Sequence, residues 1–448
     1  MSQKQVTVLG AGLVGSLISI YLANRGFKVR LFEKRPDMRK QHIDGGRSIN
    51  LALSNRGLAA LEKVGLLSQV KEICLPMNGR IMHGVDCSIT YQPYGKEGQH
   101  INSISRSKLN TLLMNAAESA GVELYFEEAC IDANLQEGIC HLNGPGGRHQ
   151  VDSDFILGAD GAFSGLREAM RITDRFNFSQ YYLPHGYKEL TMPATASGDF
   201  ALDPKGLHIW PREQYMLIAL PNLDRSFTCT LFLPFEGKVS FNSIIESAKL
   251  LAFFESAFPD AVPLIPELIH EFDQNPTGSL VTIRCSPWMV GKSGLIGDAS
   301  HAIVPFYGQG MNAGFEDCRL LDQMLSKHKD DLLPAFAEFQ TSRMVDTDAI
   351  ADLAFQNFIE MRDLVADQEF LLRKEIEMKL QDLYPDVWIP LYSRVTFSDQ
   401  PYSEAQRIGH IQRSIMDKVM EIPGIENKWE SLDFTAFIKD LKAQVDSP

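Results

Sequence analysis

The chain has 448 residues, of which 44% are hydrophobic and 22% charged. This length and composition indicate a folded protein of about two to four structural units and exclude a disordered, fibrous or low-complexity chain. The formal net charge of -14 disfavours nucleic acid and anionic membrane surfaces as partners. The 7 Cys are scattered without a C-x-x-C pair, so no disulfide framework or zinc site is predicted and a reducing cytoplasm is expected.

The first 33 residues combine a predicted strand, a glycine-rich turn and a predicted helix. In the turn G-A-G-L-V-G, Gly10 allows a tight bend, Gly12 lets the backbone approach a pyrophosphate, and Gly15 lets the helix pack on the strand. A second predicted strand at 28–32 delivers Glu33, about 20 residues after the first glycine, where an acid that binds a ribose 2′-hydroxyl belongs. The pattern predicts a dinucleotide site that holds FAD or NAD and repels NADP.

The uncharged stretch at 6–23 superficially resembles a secretory signal or a membrane span. Its glycines fall at the spacing of a phosphate-binding turn, and a strand ending in an acid follows directly, so a buried strand, turn and helix are predicted instead. No later window reaches the length of uncharged apolar residues that a membrane helix needs. A soluble protein without a membrane partner is therefore expected.

Three further features place polar residues next to predicted elements. Arg47 and Arg106 lie near the starts of predicted helices and could neutralise a diphosphate. One apolar strand ends in the D-G pair at 160–161, and another ends in the G-D pair at 297–298, before a glycine-rich turn into a helix. An Asp after a strand is usually a turn former or an N-cap, but the ordered set of motifs favours a cofactor site.

The glycine turn with Glu33, the D-G pair and the G-D pair together resemble the FAD-dependent aromatic hydroxylases of the p-hydroxybenzoate hydroxylase fold, over most of residues 1–340. The resemblance implies an α/β fold in which a Rossmann-type FAD-binding domain is interleaved with a β-sheet substrate domain and followed by a C-terminal helical region. The expected divisions are 1–75, 98–175 and 280–335 for the FAD-binding domain, 76–97 and 176–279 for the substrate domain, and 336–448 for the helices that cap the active site.

By the same resemblance, FAD is held by the glycine turn, by the motif side chains and by the backbone at the start of a late helix. The expected contacts are Gly10, Gly12, Val14, Gly15, Glu33, Arg35, Arg47, Ala52, Arg106, Cys130, Asp160, Asp298, Gly310, Met311 and Asn312. Asp298 would hold the ribitol chain, and Asp160 would serve flavin and nicotinamide functions. Because the chain has one dinucleotide fingerprint, NADPH would meet the flavin transiently, and Glu33 does not exclude it as the reductant.

Four segments narrow the resemblance to the family members that hydroxylate L-kynurenine. They are G-R-S-I-N-L-A-L-S at 46–54, P-F-Y-G-Q-G-M-N-A-G-F-E-D-C at 305–318, N-F-I-E-M-R at 357–362 and I-P-L-Y-S-R-V-T-F at 389–397. The resemblance implies that the amino-acid end of L-kynurenine is bound by Arg80, Tyr94, Asn357 and Tyr392. A carboxylate does need a fixed cation and hydroxyl or amide donors. Glu360, on the predicted helix face of Asn357, is expected to position that residue or the substrate amine.

The implied reaction converts L-kynurenine to 3-hydroxykynurenine with NADPH and O2 through a C4a-hydroperoxyflavin, as a step of tryptophan catabolism. The flavin performs the chemistry, so no catalytic side chain and no metal are assigned. Animal members carry an apolar C-terminal segment that this chain lacks, which again favours a soluble cytoplasmic enzyme. Three alternatives stay open: a hydroxylase of another small aromatic amine or phenol, a non-oxygenating flavin reductase, and a flavoprotein that only binds its ligand. The sequence predicts no particular oligomeric state.

Overall fold

The computed structural model describes residues 3–40, 50–96, 98–360 and 368–446. The strands are β1 (Gln5–Leu9), β2 (Lys28–Glu33), β3 (Asn50–Leu53), β4 (Cys74–Met77), β5 (Gly79–His83), β6 (Ile89–Pro93), β7 (Ile101–Ser105), β8 (Glu123–Phe126), β9 (Ala129–Asn134), β10 (Ile139–Gly144), β11 (Gly147–Asp152), β12 (Phe155–Gly158), β13 (Asn177–Met192), β14 (Gly206–Arg212), β15 (Tyr215–Pro221), β16 (Phe227–Pro234), β17 (Gly278–Ser286), β18 (Met289–Val290) and β19 (Ser293–Leu295).

The helices are α1 (Leu13–Asn24), α2 (Asn55–Lys63), α3 (Leu67–Glu72), α4 (Arg106–Ser119), α5 (Gly165–Arg171), α6 (Ser247–Ala257), α7 (Leu268–Gln274), α8 (Asp298–His301), α9 (Gly310–Lys327), α10 (Leu332–Ile359), α11 (Gln368–Leu383), α12 (Leu391–Phe397), α13 (Tyr402–Met420), α14 (Ile425–Lys428) and α15 (Thr435–Val445). Within the described ranges, none of these helices combines the length and the apolarity needed to cross a bilayer.

A six-stranded sheet, mostly parallel, positions the nucleotide motifs. Its order is β18-β19-β12-β1-β2-β8, with β1 paired in parallel to both β12 and β2. The strands β1 and β12 are buried runs of apolar residues, as expected where helices cover both faces. Because the carboxyl ends of parallel strands meet at one edge, the glycine turn, Glu33, Asp160 and Asp298 all lie along that edge.

A seven-stranded sheet of order β17-β13-β16-β15-β14-β5-β6 forms the second layer. One face packs on α6 and α7 around Trp210 and Phe254. The other face packs on α10 around Phe232 and Ile350. Since side chains alternate along a strand, Arg80 on β5 lies on the opposite face from its neighbour Ile81. Two three-stranded sheets, β3-β7-β4 and β11-β10-β9, complete the strands that the described residues form.

The chain after β19 is helical in its described part. The helix α10 runs for 28 residues, and its buried positions include Ile350 and Leu353. The helices α11, α13 and α15 share a second apolar cluster that contains Ile376, Trp388 and Ile415. The predicted fold class, an α/β protein with a Rossmann-type sheet, a second sheet and C-terminal helices, is confirmed.

A buried hydrogen-bond chain lies on the α6 and α7 side of the seven-stranded sheet. The Nε2 atom of His208 donates to the Asp203 carbonyl oxygen at 2.9 Å, so its Nδ1 atom accepts from His83 Nε2, also at 2.9 Å. His83 Nδ1 lies 2.7 Å from the Asp260 carboxylate, and that carboxylate accepts a hydrogen bond from Trp210 Nε1. Burial lowers the pKa of His208 to about 4, and its occupied Nδ1 atom offers no place for a second proton.

The buried hydrogen-bond chain through His208 makes the free energy of unfolding depend on pH. In the unfolded chain His208 titrates near its ordinary pKa of about 6.5. Between about pH 6.5 and about pH 4 the unfolded state therefore binds a proton that the folded state excludes, and the free energy of unfolding falls as the pH falls. His208 alone should contribute a loss of about 3 kcal/mol over this interval, measured as the difference between the unmodified protein and its His208→Gln variant in urea unfolding at a series of pH values.

Two substitutions separate this effect from general acid sensitivity. His208→Gln should flatten the dependence of stability on pH, because it removes the titrating imidazole. His410→Gln changes an exposed imidazole and should leave the dependence as it is in the unmodified protein. Equal pH dependence in the His208→Gln variant and the unmodified protein would contradict the assignment.

Candidate functional site

The turn between β1 and α1 has tight contacts at two glycines and open space at the third. A Cβ atom on Gly15 would lie 1.8 Å from the Gly10 carbonyl oxygen, and one on Gly10 would lie 2.6 Å from the Ala159 carbonyl oxygen. A Cβ atom on Gly12 would meet nothing within 4 Å. Gly12 is the N-cap of α1, whose first N–H groups have no intrahelical partner and whose first turn carries no acid. The turn therefore offers donors and room to a phosphate group.

Glu33 closes the turn from the end of β2. Its Oε2 atom accepts from the Ala11 N–H at 2.9 Å, and its Oε1 atom accepts from Arg35 through the backbone N–H at 3.0 Å and Nε at 2.8 Å. Although burial opposes ionisation, these hydrogen bonds hold the pKa of Glu33 below its usual range. Arg35 is 65% exposed, and its Nη2 contact with Oε2 is long at 3.5 Å. A ribose hydroxyl would replace that contact at the least cost.

The G-D pair after β19 faces the same turn. Asp298 is exposed while Gly297 and Ala299 are buried, so the Asp298 carboxylate projects from an otherwise packed segment. A Cβ atom on Gly297 would lie 3.1 Å from the methyl groups of Val14. The N–H of Gly297 donates to Asp317 on α9 at 3.1 Å, and this hydrogen bond anchors the turn to α9. The predicted FAD contacts Val14 and Asp298 are thus brought together.

The first turn of α9 contains Gly310, Met311 and Asn312, and it lies against the strand β3. The Asn312 side chain donates to the Ala52 carbonyl oxygen at 2.8 Å and accepts from the Ser54 N–H at 2.9 Å. The predicted contacts Ala52 and Asn312 therefore meet at one place, next to a helix N-terminus.

Arg106 is the first residue of α4 and is exposed. One turn later, Asn110 donates to the Ala11 carbonyl oxygen at 3.1 Å, so α4 begins beside the glycine turn. Arg106 interacts electrostatically with Glu189 but forms no ion pair with it or with another carboxylate of the described residues, so its guanidinium can also face a phosphate. Arg47, the second predicted diphosphate cation, lies outside the described residues.

Asp160 has one oxygen in use and one without a partner. Its Oδ2 atom accepts from the Gly165 N–H at 2.8 Å and the Leu166 N–H at 3.4 Å, at the start of α5. Its Oδ1 atom is buried without a hydrogen-bond partner in the described protein, and burial raises the pKa of this carboxyl group. Cys130 lies beside it, because a Cβ atom on Gly165 would be 2.6 Å from the Cys130 carbonyl oxygen.

These features fit FAD. The open phosphate-binding turn, the carboxylate of Glu33, the projecting carboxylate of Asp298 and the orphaned oxygen of Asp160 are placed along one edge of the parallel sheet. Buried polar atoms normally have partners, so an orphaned carboxylate oxygen indicates a group that the protein chain itself does not supply.

A second cluster surrounds Arg80 with tyrosine rings. The Arg80 guanidinium carbon lies 4.4 Å from the centre of the Tyr392 ring and 5.6 Å from that of Tyr94. The Tyr94 and Tyr392 rings are stacked with centres 5.6 Å apart. Arg80 lies on β5, Tyr94 follows β6, and Tyr392 lies on α12, so the second sheet and the C-terminal helices build this cluster together.

The cluster presents a cation and a buried hydroxyl donor. Arg80 is half-buried and has no ion-pair partner among the described carboxylates. The Tyr94 hydroxyl is buried without a hydrogen-bond partner in the described protein. Burial raises the pKa of Tyr94 well above its usual range, so the hydroxyl keeps its proton at neutral pH. A cation and a hydroxyl donor side by side favour a carboxylate as the ligand.

Tyr307 also belongs to this cluster, although it was not among the residues predicted from the sequence. Its ring stacks on that of Tyr392 with centres 5.6 Å apart, and it is buried. The signal was present in the P-F-Y-G run, because a glycine at positive φ, Gly308, turns the chain directly after the tyrosine.

Asn357 and Glu360 lie at the end of α10. The Asn357 side chain donates to the Phe306 carbonyl oxygen at 2.6 Å, one residue before Tyr307. The Glu360 carboxylate lies 3.4 Å from the Arg413 guanidinium on α13. Asn357 is thereby tied to the aromatic cluster, whereas the ion pair of Glu360 points to α13.

Comparison with known proteins identifies the family. An FAD binding domain matches residues 3–242. Kynurenine 3-monooxygenase of Flavobacterium johnsoniae is 51% identical over 441 residues, which cover 98% of each chain. Kynurenine 3-monooxygenase of Anopheles gambiae is 44% identical over 422 residues, which cover 93% of this chain and 86% of the relative.

The chain belongs to the kynurenine 3-monooxygenase family.

Solved structures with low sequence identity share the fold of this kynurenine 3-monooxygenase family member. 2-Methyl-3-hydroxypyridine-5-carboxylic acid oxygenase has a TM-score of 0.68 at 21% identity, covering 83% of this chain and 96% of its own. Tetracycline destructase Tet(55) has a TM-score of 0.65 at 15% identity, covering 89% of this chain and 98% of its own. The predictions of an FAD-dependent monooxygenase and of FAD as its cofactor are confirmed, while the individual contacts stay predictions.

Proposed function

We propose that the chain hydroxylates L-kynurenine to 3-hydroxykynurenine, with NADPH as the reductant and O2 as the oxidant, as a step of tryptophan catabolism. One oxygen atom of O2 enters the substrate ring, the other leaves as water, and NADPH supplies two electrons. The names of the relatives at 44% to 51% identity support this substrate. When bound, FAD supplies the electron transfer and the oxygen activation.

The observation that carries the proposal is the Arg80 guanidinium, which has no carboxylate partner among the described residues, beside the buried hydroxyl of Tyr94. L-Kynurenine carries an α-carboxylate, which accepts hydrogen bonds from a guanidinium fork and a hydroxyl group together. Leaving a buried hydroxyl without an acceptor costs about 1–3 kcal/mol, so the placement of Tyr94 is explained by a ligand that supplies the acceptor. The stacked rings of Tyr94, Tyr392 and Tyr307 form an apolar wall next to the donors.

The residues of the chain bind and orient the substrate and exclude water. Burial raises the pKa of Tyr307 well above its usual range, as it does for Tyr94, so neither ring carries a charge at neutral pH. Arg80 therefore remains the positive charge that fixes the amino-acid end, while Asn357 can contribute an amide donor. A dry, aromatic surround also protects an activated oxygen from water.

We also propose the division into an FAD-binding domain (1–75, 98–175, 280–335), a substrate domain (76–97, 176–279) and capping helices (336–448). The two large sheets draw their strands from these alternating parts of the chain. Seven of the nine residues of strand β17, 280–286, lie past the proposed boundary although the strand pairs with β13 in the substrate sheet. All seven cysteines are free thiols, which supports a reducing compartment such as the cytoplasm.

The test is aerobic NADPH oxidation by the purified FAD-loaded protein, with and without L-kynurenine, while 3-hydroxykynurenine and H2O2 are measured together. We expect L-kynurenine to accelerate NADPH oxidation and the hydroxylated product to account for most of the NADPH. Oxidation that yields only H2O2 would make L-kynurenine an effector or the wrong substrate, and another aromatic amine or phenol would then be the substrate.

The same assay addresses the other two alternatives. Full product yield without O2 would favour a non-oxygenating flavin reductase. FAD binding without any ligand-dependent NADPH oxidation would favour a flavoprotein that only binds its ligand.

A further inference from the structure

Arg56 is a fully buried guanidinium at a junction of three parts of the fold. It lies on α2, and its Nη1 atom donates to Glu316 on α9 at 2.6 Å. Its Nε atom donates to the Val395 carbonyl oxygen on α12 at 3.1 Å, and its Nη2 atom donates to the Gln400 carbonyl oxygen. One rigid planar group thus joins the FAD-binding region, the helix beside the flavin site and the C-terminal helices.

Arg56 also reaches the start of α9 through an aromatic ring. Its guanidinium carbon lies 3.9 Å from the centre of the Tyr402 ring. The Tyr402 hydroxyl donates to the Gln309 side chain at 2.9 Å, and both residues are buried. Gln309 is the N-cap of α9, directly before the predicted flavin contacts of its first turn.

The N-terminal end of α2 contacts α12 on one side and the first turn of α9 on the other. Asn55 Nδ2 donates to the Phe397 carbonyl oxygen at the end of α12, at 3.2 Å. On the other side, a Cβ atom on Gly57 would lie 2.6 Å from the Asn312 side-chain oxygen, so α2 and the first turn of α9 are in direct contact. Since α12 carries Tyr392, contacts through α12 and α2 connect the Arg80 cluster to the first turn of α9.

We propose that Arg56 is a positioning residue that couples occupancy of the Arg80 and Tyr392 site to the geometry of the α9 turn beside FAD. The ligand orders Tyr392 and hence α12. The guanidinium group of Arg56 fixes the position of α12 relative to Glu316 on α9. The first turn of α9 then has the geometry that permits rapid reduction of the flavin. This inference rests on the proposed function and extends it to the control of NADPH oxidation by the substrate. A fork with donors in three directions suits this role because it resists relative movement of the groups it joins.

The decisive variant is Arg56→Lys. Lysine keeps a cation beside Glu316 but cannot donate to the carbonyl oxygens of Val395 and Gln400 at the same time. In FAD-loaded protein we expect the ratio of NADPH oxidation rates with and without L-kynurenine to fall about tenfold, the change that one lost charged hydrogen bond produces. A larger share of the NADPH should then appear as H2O2.

Two further variants serve as a second test and as a control. Asn55→Ala removes only the contact with Phe397 and should lower the same ratio in the same direction, by a smaller factor. Arg319→Lys is the matched control, because Arg319 pairs with the same Glu316 carboxylate at 3.3 Å and with Asp399 at 3.7 Å, ion pairs that a lysine cation can keep, and it donates to no carbonyl oxygen of α12 in the described protein. This control should keep the ratio of the unmodified protein.

The outcomes separate this inference from the proposed function. If the unmodified protein shows no response to L-kynurenine, the proposed function fails. If it responds and both Arg56→Lys and Asn55→Ala keep its ratio per bound FAD, the coupling role is wrong, even where FAD content or melting temperature has dropped. Should Arg56→Lys fail to fold, the ratio in Asn55→Ala decides.

Discussion

Replacing Arg80 by methionine is expected to raise the KM for L-kynurenine by about 10- to 150-fold, with a smaller effect on kcat. Methionine keeps an unbranched apolar stem beside the tyrosine rings but removes the cation that faces them. The loss of a charged hydrogen bond is about 1.5–3 kcal/mol, and each 1.4 kcal/mol corresponds to a factor of ten. Steady-state NADPH oxidation with product quantified at each substrate concentration measures both constants.

A substrate analogue tests whether the carboxylate is the partner. The decarboxylated amine of kynurenine should be a poor substrate for the unmodified protein, and the preference for L-kynurenine should collapse in Arg80→Met. Arg80→Lys should lie between the two, since lysine keeps the charge but not the planar fork. A KM that stays unchanged in Arg80→Met would rule out Arg80 as the carboxylate ligand.

Gly12→Ala is expected to weaken FAD binding by about 10- to 100-fold while leaving the fold of the protein intact. The new Cβ atom would meet no protein atom within 4 Å, so the apoprotein has no reason to lose stability. The same space is the approach of the backbone to a pyrophosphate, and a methyl group there pushes the phosphate away from the N–H donors of α1. Flavin fluorescence titration of the apoprotein gives the affinity, and thermal unfolding checks the fold.

Two other glycines serve as controls for this experiment. Gly146→Ala, between β10 and β11, also adds a Cβ atom that meets nothing within 4 Å, and it should change neither FAD affinity nor stability. Gly15→Ala should damage the fold itself, because its Cβ atom would overlap the Gly10 carbonyl oxygen. Equal FAD affinity in Gly12→Ala and Gly146→Ala would show that the cofactor does not approach the turn at Gly12.

The nucleotide-binding half of the site could be predicted because its signals are local. The glycine turn, Glu33 and the G-D pair each follow a strand within a few residues, and a parallel sheet gathers the carboxyl ends of its strands at one edge. Spacing along the chain therefore translates directly into proximity. One oxygen of Asp160 caps the start of α5, while the other has no partner in the described protein, and its contact with the cofactor stays a prediction.

The aromatic cluster depends on contacts between distant parts of the chain. Nothing in the local pattern around Arg80 indicates that Tyr392 packs on it, and only the family resemblance brought the two together. Tyr307 was not predicted as a site residue because an aromatic residue next to a glycine turn is usually a packing residue. Arg56 gave no signal at all, since an arginine at the start of an amphipathic helix normally lies on the surface.

The origin of the site in different parts of the chain also sets the order in which it can be built during synthesis. The parallel sheet needs β19 before its last nucleotide-binding turn exists, and α9 follows directly. Tyr392 leaves the ribosome only after α10 and α11. A nascent chain can thus acquire a complete flavin cradle while its substrate cluster still lacks one wall, so cofactor loading can precede substrate recognition during biosynthesis.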